Sequence, residues 1–154
     1  MKKILTTFLL ILCITSLQTV PVSLTINTEK NTYNQNEKIV CNLALTNTTS
    51  ENITVNTRFL VNYHLYSEHE VVFYITGPDG KEKLLQPVIF AGLPGPWYFQ
   101  KVEPGVSKNK KYNLTENFNL TATGNYTISA HYNNRYQDGW VGRVDSNTIQ
   151  VQIQ

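Results

Sequence analysis

From residue 22 onward, apolar and polar residues alternate with a period of two, which is the pattern of β-strands that bury one face. The clearest case is 38–46, where Ile39, Cys41, Leu43 and Leu45 alternate with mostly polar neighbours. Similar alternation predicts strands at 24–26, 53–59, 126–130 and 149–153, and the β-branched and aromatic run 71–76 predicts another. Beyond the N-terminal segment, no apolar stripe keeps helical spacing long enough to predict a helix. The pattern predicts seven or eight short strands.

Turn residues separate these predicted strands. Gly77-Pro78-Asp79-Gly80 follows the run 71–76, and it predicts a turn because Pro presets φ and Gly adopts positive φ. We expect 81–85 to be the returning arm of that hairpin. The Gly- and Pro-rich stretch 87–105 is expected to be irregular, with order resuming near Tyr112. Short strands separated by regular turn signals are typical of an antiparallel β-sandwich, the fold class predicted here.

Length and charge narrow the class of protein. The chain has 154 residues, which suits one domain. It carries 13 Lys+Arg against 11 Asp+Glu, and two of the basic residues are Lys2 and Lys3. Without that pair the balance is 13 − 2 = 11 basic against 11 acidic residues. A neutral domain lacks the basic surface that binds phosphate backbones, so nucleic acid is not an expected partner.

The N-terminal segment has the features of an export signal. Lys2 and Lys3 precede the uncharged run 4–14, which is shorter than the roughly 20 apolar residues that span a bilayer. We expect residues 1–20 to be a signal peptide, cleaved between Ser16 and Pro21, and residues 21–154 to be the domain. Cys13 leaves a second route open, acylation as a lipoprotein. Either route predicts a secreted or cell-surface protein with no membrane span after signal removal.

Few residues suggest catalysis or metal binding. Cys41 is the cysteine that remains after signal removal, and its inward parity predicts a core residue, not a nucleophile. His64 and His69 are separated by an odd spacing, and His131 lies far along the chain. A zinc site needs three or four converging ligands, which this spacing does not provide. No catalytic residue, metal site or cofactor is predicted, and the protein is not expected to be an enzyme.

Aromatic residues in loops are the strongest binding candidates. Trp97, Tyr98 and Phe99 follow Leu93-Pro94-Gly95-Pro96, while Tyr136 and Trp140 occupy a second polar stretch. A large ring with a polar atom, carried by a loop, can contact a protein or stack on a sugar. The alternative is that Trp97 and Trp140 plug the open ends of the sandwich. Lys101, Lys108, Lys110 and Lys111 form a basic group, read either as a solvated hairpin or as an anion site.

Five Asn-x-Thr sequons are present, where chance predicts roughly three. Possible N-glycosylation is assigned to Asn47, Asn52, Asn113 and Asn119. The sequon at Asn125 is set aside because it adjoins Tyr126.

Two stretches resemble extracellular immunoglobulin-like modules. The run 32–39, followed by 43–47, is similar to the tyrosine, turn, acidic residue, strand and Asn that open many such domains. Gly124-Asn125-Tyr126 resembles a tyrosine corner, whose hydroxyl bonds to nearby backbone. With Val102-Glu103-Pro104-Gly105 between them, their order resembles proteinase-inhibitor-like (BsuPI-type) and macroglobulin-type domains. The resemblance implies an immunoglobulin-like sandwich without the inter-sheet disulfide. Cys41 lies on a strand that resembles the one carrying the first cysteine of that disulfide, but Ile128 stands where the second cysteine would be.

Three functions remain open at this point. We expect a non-catalytic module for protein binding or adhesion, or with a structural role, whose loops 92–99 and 132–140 contact an extracellular protein or glycan. A protease inhibitor would need a rigid extended loop, for which Pro94-Gly95-Pro96 is the nearest candidate. A carbohydrate-binding module would need Trp97 or Trp140 exposed beside amide side chains such as Asn133, Asn134 or Gln137.

Overall fold

A computed structural model describes residues 20–62, 70–86 and 92–154. Its strands are β1 (Val22–Thr28), β2 (Thr32–Tyr33), β3 (Val40–Asn47), β4 (Ile53–Asn56), β5 (Glu70–Thr76), β6 (Phe99–Val102), β7 (Ser107–Asn113), β8 (Gly124–Asn134), β9 (Gly142–Asp145) and β10 (Ile149–Ile153). A 3-10 turn, Pro96–Tyr98, precedes β6, and a single-turn helix, α1 (Leu114–Asn117), follows β7. The signal segment, His64 and His69 lie outside the described residues.

The strands form three sheets. The first has the order β1-β3-β7, and the second has the order β2-β10-β8-β5 with β9 beside β8. The third is the small pair β4-β6. Every pair is antiparallel except β2 and β10, which are parallel.

The two larger sheets face each other across one hydrophobic core. Alternate residues of β1 and β3 are buried, as the period-two pattern predicts, and they join one cluster with residues of β5, β8 and β10. Phe73 of β5 meets Tyr112 of β7 edge to face, with ring centroids 5.2 Å apart. Aromatic pairs in this geometry add stability beyond the area they bury. The predicted antiparallel all-β sandwich is confirmed, and no disulfide is present in the described residues.

The hydrogen bond expected for the tyrosine corner is present. Tyr126 is buried at the start of β8, and its hydroxyl donates to the carbonyl of Ala122 over 2.9 Å. This bond fixes the chain where it enters the longest strand, so the sequence prediction for Tyr126 is confirmed.

The structure differs from the sequence prediction in several short segments. The strand expected over 53–59 ends at Asn56, because Phe59 has a φ of 48°, which a strand does not allow. The stretch 87–105 is not wholly irregular, since it contains β6. Order resumes at Ser107 and not near Tyr112. Within 81–85 only isolated bridges form, so the returning arm is not a full strand. The described residues contain ten strands, more than the seven or eight expected, and the short strands β2, β6 and β9 are the ones that the pattern did not predict.

No helix in the described ranges has the length and apolar content needed to cross a bilayer.

Cys41 belongs to the core, as its parity predicts. Its side chain is fully buried in β3, and burial raises the pKa of its thiol to about 12. A buried thiol at this pKa holds almost no thiolate near neutral pH, and the thiolate is the reactive form.

We therefore predict that Cys41 does not react with a water-soluble disulfide reagent at pH 8 in the folded protein. The same reagent is expected to label it at once in urea, because unfolding exposes the thiol and restores its ordinary pKa. The absorbance of the released thiolate measures both rates. Fast labelling without denaturant would contradict the buried position of Cys41.

Candidate functional site

Two loops that the sequence singled out meet at one place in the structure. We name this place the aromatic end and define it by Leu93, Trp97, Tyr98, Phe99, Tyr136, Trp140 and Val141. The ring of Phe99 meets that of Tyr136 edge to face, with centroids 6.2 Å apart. Gly139 allows the close approach, because a Cβ there would lie 3.0 Å from the Thr54 carbonyl oxygen and 3.3 Å from Cδ1 of Phe99. Four of the five predicted binding residues thus lie in two adjoining loops, and the fifth, Phe99, is the first residue of β6.

The loop 92–98 is tied to the chain that follows β4. The carbonyl of Tyr98 accepts hydrogen bonds from the backbone N–H of Thr57 over 2.7 Å and from its hydroxyl over 2.8 Å. The guanidinium of Arg58 donates to the carbonyl of Gly92 over 2.6 Å. Within the loop, Tyr98 N–H donates to the carbonyl of Gly95 and closes the 3-10 turn. Both ends of the loop are therefore fixed.

The second loop, 135–141, closes on a buried amide. The Nδ2 atom of Asn134 donates to the carbonyls of Tyr136 over 3.2 Å and of Trp140 over 2.6 Å. The Trp140 N–H in turn donates to the carbonyl of Thr54 over 2.6 Å. Asn134 is fully buried, and a buried amide with satisfied bonds holds a loop firmly. This loop is therefore attached to β4 as well.

The two tryptophans have different surroundings. Trp140 is half-buried, packs against the core and stacks on Tyr132 with ring centroids 6.2 Å apart and an interplanar angle of 19°. Trp97 is 71% exposed. Its indole folds back over Gly95, where an added Cβ would lie 2.3 Å from Cη2 of the ring. Trp140 therefore fits the alternative in which a ring closes the end of the sandwich, whereas Trp97 fits the alternative in which the ring is exposed to a partner.

An ion pair between Arg58 and the buried Glu70 holds the segment to which these loops are attached. Glu70 is fully buried, and its Oε1 accepts from Nε of Arg58 over 2.7 Å and also from Nη2. Its Oε2 accepts the backbone N–H of Leu60 over 2.8 Å. Glu70 and Phe59 both have positive φ, 62° and 48°. The pair holds the chain after β4 in a conformation that L-residues rarely adopt.

Two buried tyrosines fix the same segment from the sandwich interior. The hydroxyl of Tyr112 donates to the carbonyl of Phe59 over 2.7 Å, and that of Tyr132 donates to the carbonyl of Asn56 over 2.9 Å. Burial raises the pKa of both phenols, so both remain donors at neutral pH. We name the set Asn56, Arg58, Glu70, Tyr112 and Tyr132 the polar clamp. Asn56 also accepts the N–H of Arg58, while its own Nδ2 is buried without a hydrogen-bond partner.

Sequence reasoning did not find the polar clamp. Arg58 and Glu70 stand at the edges of apolar runs, where charged residues are normally solvated. The position of Tyr112 in the sequence indicates only where order resumes. The usable signal for the clamp is Glu70, which directly precedes the uninterrupted apolar run 71–75. A strand made of such a run buries both of its faces, so a charged residue at its end needs a partner.

The remaining predicted residues are scattered. Asn47 is buried, and its Nδ2 donates to the carbonyls of Glu51 and Val102, so a glycan there would require both bonds to break. Asn113 is half-buried, while Asn52 and Asn119 are exposed. Glycosylation at these four positions stays a prediction, as does lipidation of Cys13, which lies outside the described residues.

His131 is the one histidine among the residues that the structure describes. His131 is fully buried in β8, with Nδ1 3.2 Å from the hydroxyl of Tyr74. In the described ranges, no three His, Cys, Asp or Glu side chains gather in a way that could hold a metal ion. The arrangement at the aromatic end offers instead a contact surface of aromatic and aliphatic side chains on fixed loops.

A scan of the chain against protein-family models gives no match, and neither does a comparison with curated proteins.

We predict that Glu70→Gln lowers the free energy of unfolding by about 3 kcal/mol, because it leaves the charge of Arg58 buried without its counter-ion. The matched control is Asp79→Asn, which removes an exposed pair with Lys83 at 3.0 Å and is expected to change stability little. Urea denaturation followed by circular dichroism measures both. Equal stability of the two variants would show that the buried pair does not support the fold.

Proposed function

We propose that the protein is a non-catalytic binding module, an exported immunoglobulin-like sandwich whose aromatic end contacts an extracellular protein. The observation that carries this proposal is the exposure of Trp97 and Leu93, 71% and 84%, on a loop whose ends are fixed by hydrogen bonds. Three of the six large apolar side chains exposed in the described residues belong to the aromatic end, the third being Val141.

The fixed loops support a binding role because they reduce the entropic cost of association. A loop that is already held by its neighbours loses little freedom when a partner binds. Loop 92–98 is attached to Thr57 and Arg58, and loop 135–141 is attached to Asn134 and Thr54. Rigid aromatic anchors with a central tryptophan are the residues that dominate the energetics of protein interfaces.

A protein partner fits this surface better than a glycan. Sugar binding by tryptophan needs free amide or charged groups beside the ring to bond hydroxyls. The amide of Asn134 is fully buried and donates to two loop carbonyls, so it is not available to a sugar. Asn133 is also buried, and of the three candidate amides only Gln137 is exposed. Trp140 is stacked on Tyr132. Leu93 beside the 3-10 turn adds aliphatic surface, which suits a protein contact.

The protease-inhibitor alternative receives less support from the same loop. Inhibition by a loop requires an extended segment that a protease can bind along its active site. Here Gly95 is extended, with φ −70° and ψ 159°, but Pro96–Tyr98 turns at once into a 3-10 helix. The resemblance to inhibitor-like sandwiches therefore implies a fold and not an inhibitory loop.

We predict that Trp97→Ala weakens capture of the partner without unfolding the domain. The protein, immobilised through its C-terminus, is exposed to the secreted proteins of its source organism and, separately, to a glycan array. Loss of a central tryptophan is expected to weaken protein binding by about 30-fold, measured by surface plasmon resonance on the captured protein.

The matched control is Leu84→Ala, which removes another exposed side chain, 44% accessible, outside the aromatic end. It is expected to bind like the unmodified protein. Capture that survives Trp97→Ala contradicts the proposal. Binding to glycans alone favours the carbohydrate-binding alternative, and protease inhibition that depends on Pro94–Pro96 favours the inhibitor.

A further inference from the structure

One edge of strand β7 is not paired with any other strand that the structure describes. It pairs with β3 along its whole length, from Val40 opposite Asn113 to Thr46 opposite Ser107. Within residues 20–62, 70–86 and 92–154, no backbone group pairs with the other side of β7. An open edge presents alternate N–H and C=O groups to solvent, and these groups form a template for another strand.

Other long edges are occupied in part by the protein itself. Ile26, near the end of β1, gives its N–H to Oδ1 of Asn147 over 2.9 Å, and its carbonyl accepts from Nδ2 over 3.0 Å, so one amide side chain occupies that edge. On β5, Val71 exchanges backbone bonds with Leu60 and Asn62, and the Ile75 carbonyl accepts from Lys83 N–H. Nothing comparable covers β7 in the described parts of the chain.

The open edge carries positive charge without counter-ions. Lys108, Lys110 and Lys111 lie in β7, which contains no acidic residue. Among the residues that the structure describes, none of the three has an ion-pair partner, whereas Lys30, Lys83, Arg58 and Arg143 all do. The ammonium groups are therefore free to meet charges on a partner.

The same lysines exclude a second copy of this chain as the occupant. Antiparallel pairing of β7 with β7, centred on Lys110, places two ammonium groups directly opposite each other. Shifting the centre by half a residue places Lys108 opposite Lys111 and Lys111 opposite Lys108. Like charges in directly opposed positions destabilise a strand pair, and lysine on an edge is a common defence against self-association.

We propose that the open edge of β7 binds an extended acidic segment of another protein by strand addition, with its carboxylates facing the lysines. The backbone groups of β7 supply the hydrogen bonds, and the side-chain charges supply the selectivity. Because side chains alternate between faces, Lys108 and Lys110 meet acids on one face of the added strand, and Lys111 meets one on the other. This site shares no residue with the aromatic end and does not depend on the function proposed for it.

The direct test is titration of the protein with a short, capped, fluorescein-labelled peptide of consecutive glutamates flanked by threonines, which presents carboxylates on both faces of an added strand. Fluorescence anisotropy at low salt measures the Kd. We expect saturable binding that weakens about tenfold or more in the Lys108→Gln/Lys110→Gln/Lys111→Gln variant, since several exposed ion pairs are lost together. The matched control, Lys38→Gln/Lys81→Gln/Lys101→Gln, removes the same charge outside β7 and is expected to bind normally.

Backbone methylation separates strand addition from charge attraction alone. Two versions of the peptide are N-methylated at alternate residues, so that one version blocks the N–H groups that face β7 and the other blocks those that face solvent. We expect one version to lose binding and the other to keep it, and the amides of β7 to gain hydrogen-exchange protection. Equal binding of both versions, equal binding by the two lysine variants, or no binding at all would overturn the proposal.

Discussion

The aromatic end depends on one buried ion pair, between Arg58 and Glu70. Burying both charges is costly, and their attraction offsets that cost only when the geometry is good and the remaining hydrogen bonds are made. Here Glu70 accepts two bonds from Arg58 and one from Leu60, while Arg58 also reaches Gly92. The charges therefore join the chain after β4, the start of β5 and loop 92–98. A pair of apolar side chains could fill this volume, but it would not set these backbone conformations.

The sandwich and its aromatic end are held by different forces. The two larger sheets rest on a hydrophobic core, in which alternate residues of each strand bury their side chains. The chain between Asn56 and Leu60 leaves the strand pattern and is held by directional bonds to Tyr112, Tyr132 and Glu70. Directional bonds fix the positions of loops that a non-directional core would leave variable. This division explains how Trp97 is exposed on an otherwise well-packed domain.

The sequence predicts most of the sandwich and only part of the site. A period of two marks β1, β3, β10 and the first half of β8, because each buries one face there, and a β-branched and aromatic run marks β5. The pattern extends β4 to residue 59 and does not mark β6, because strands of four residues give too few alternations to stand out from loops. The aromatic residues are visible because rings in a Gly- and Pro-rich stretch are unusual. The partnership of Arg58 with Glu70 is not visible, because it requires positive φ at Phe59 and Glu70, which tertiary contacts impose.

The two proposed surfaces use different chemistry on one rigid scaffold. The aromatic end offers apolar rings, whereas the β7 edge offers backbone hydrogen bonds and three lysines.

Acrylamide quenching of single-tryptophan proteins tests most directly whether the Arg58–Glu70 pair positions the aromatic end. The proteins are Trp97→Phe and Trp140→Phe, each made with and without Glu70→Gln. We expect Trp97 to be red-shifted and readily quenched in both backgrounds, and Trp140 to be protected until Glu70 is replaced. A protected Trp97, or a Trp140 that is indifferent to Glu70→Gln, would contradict the account.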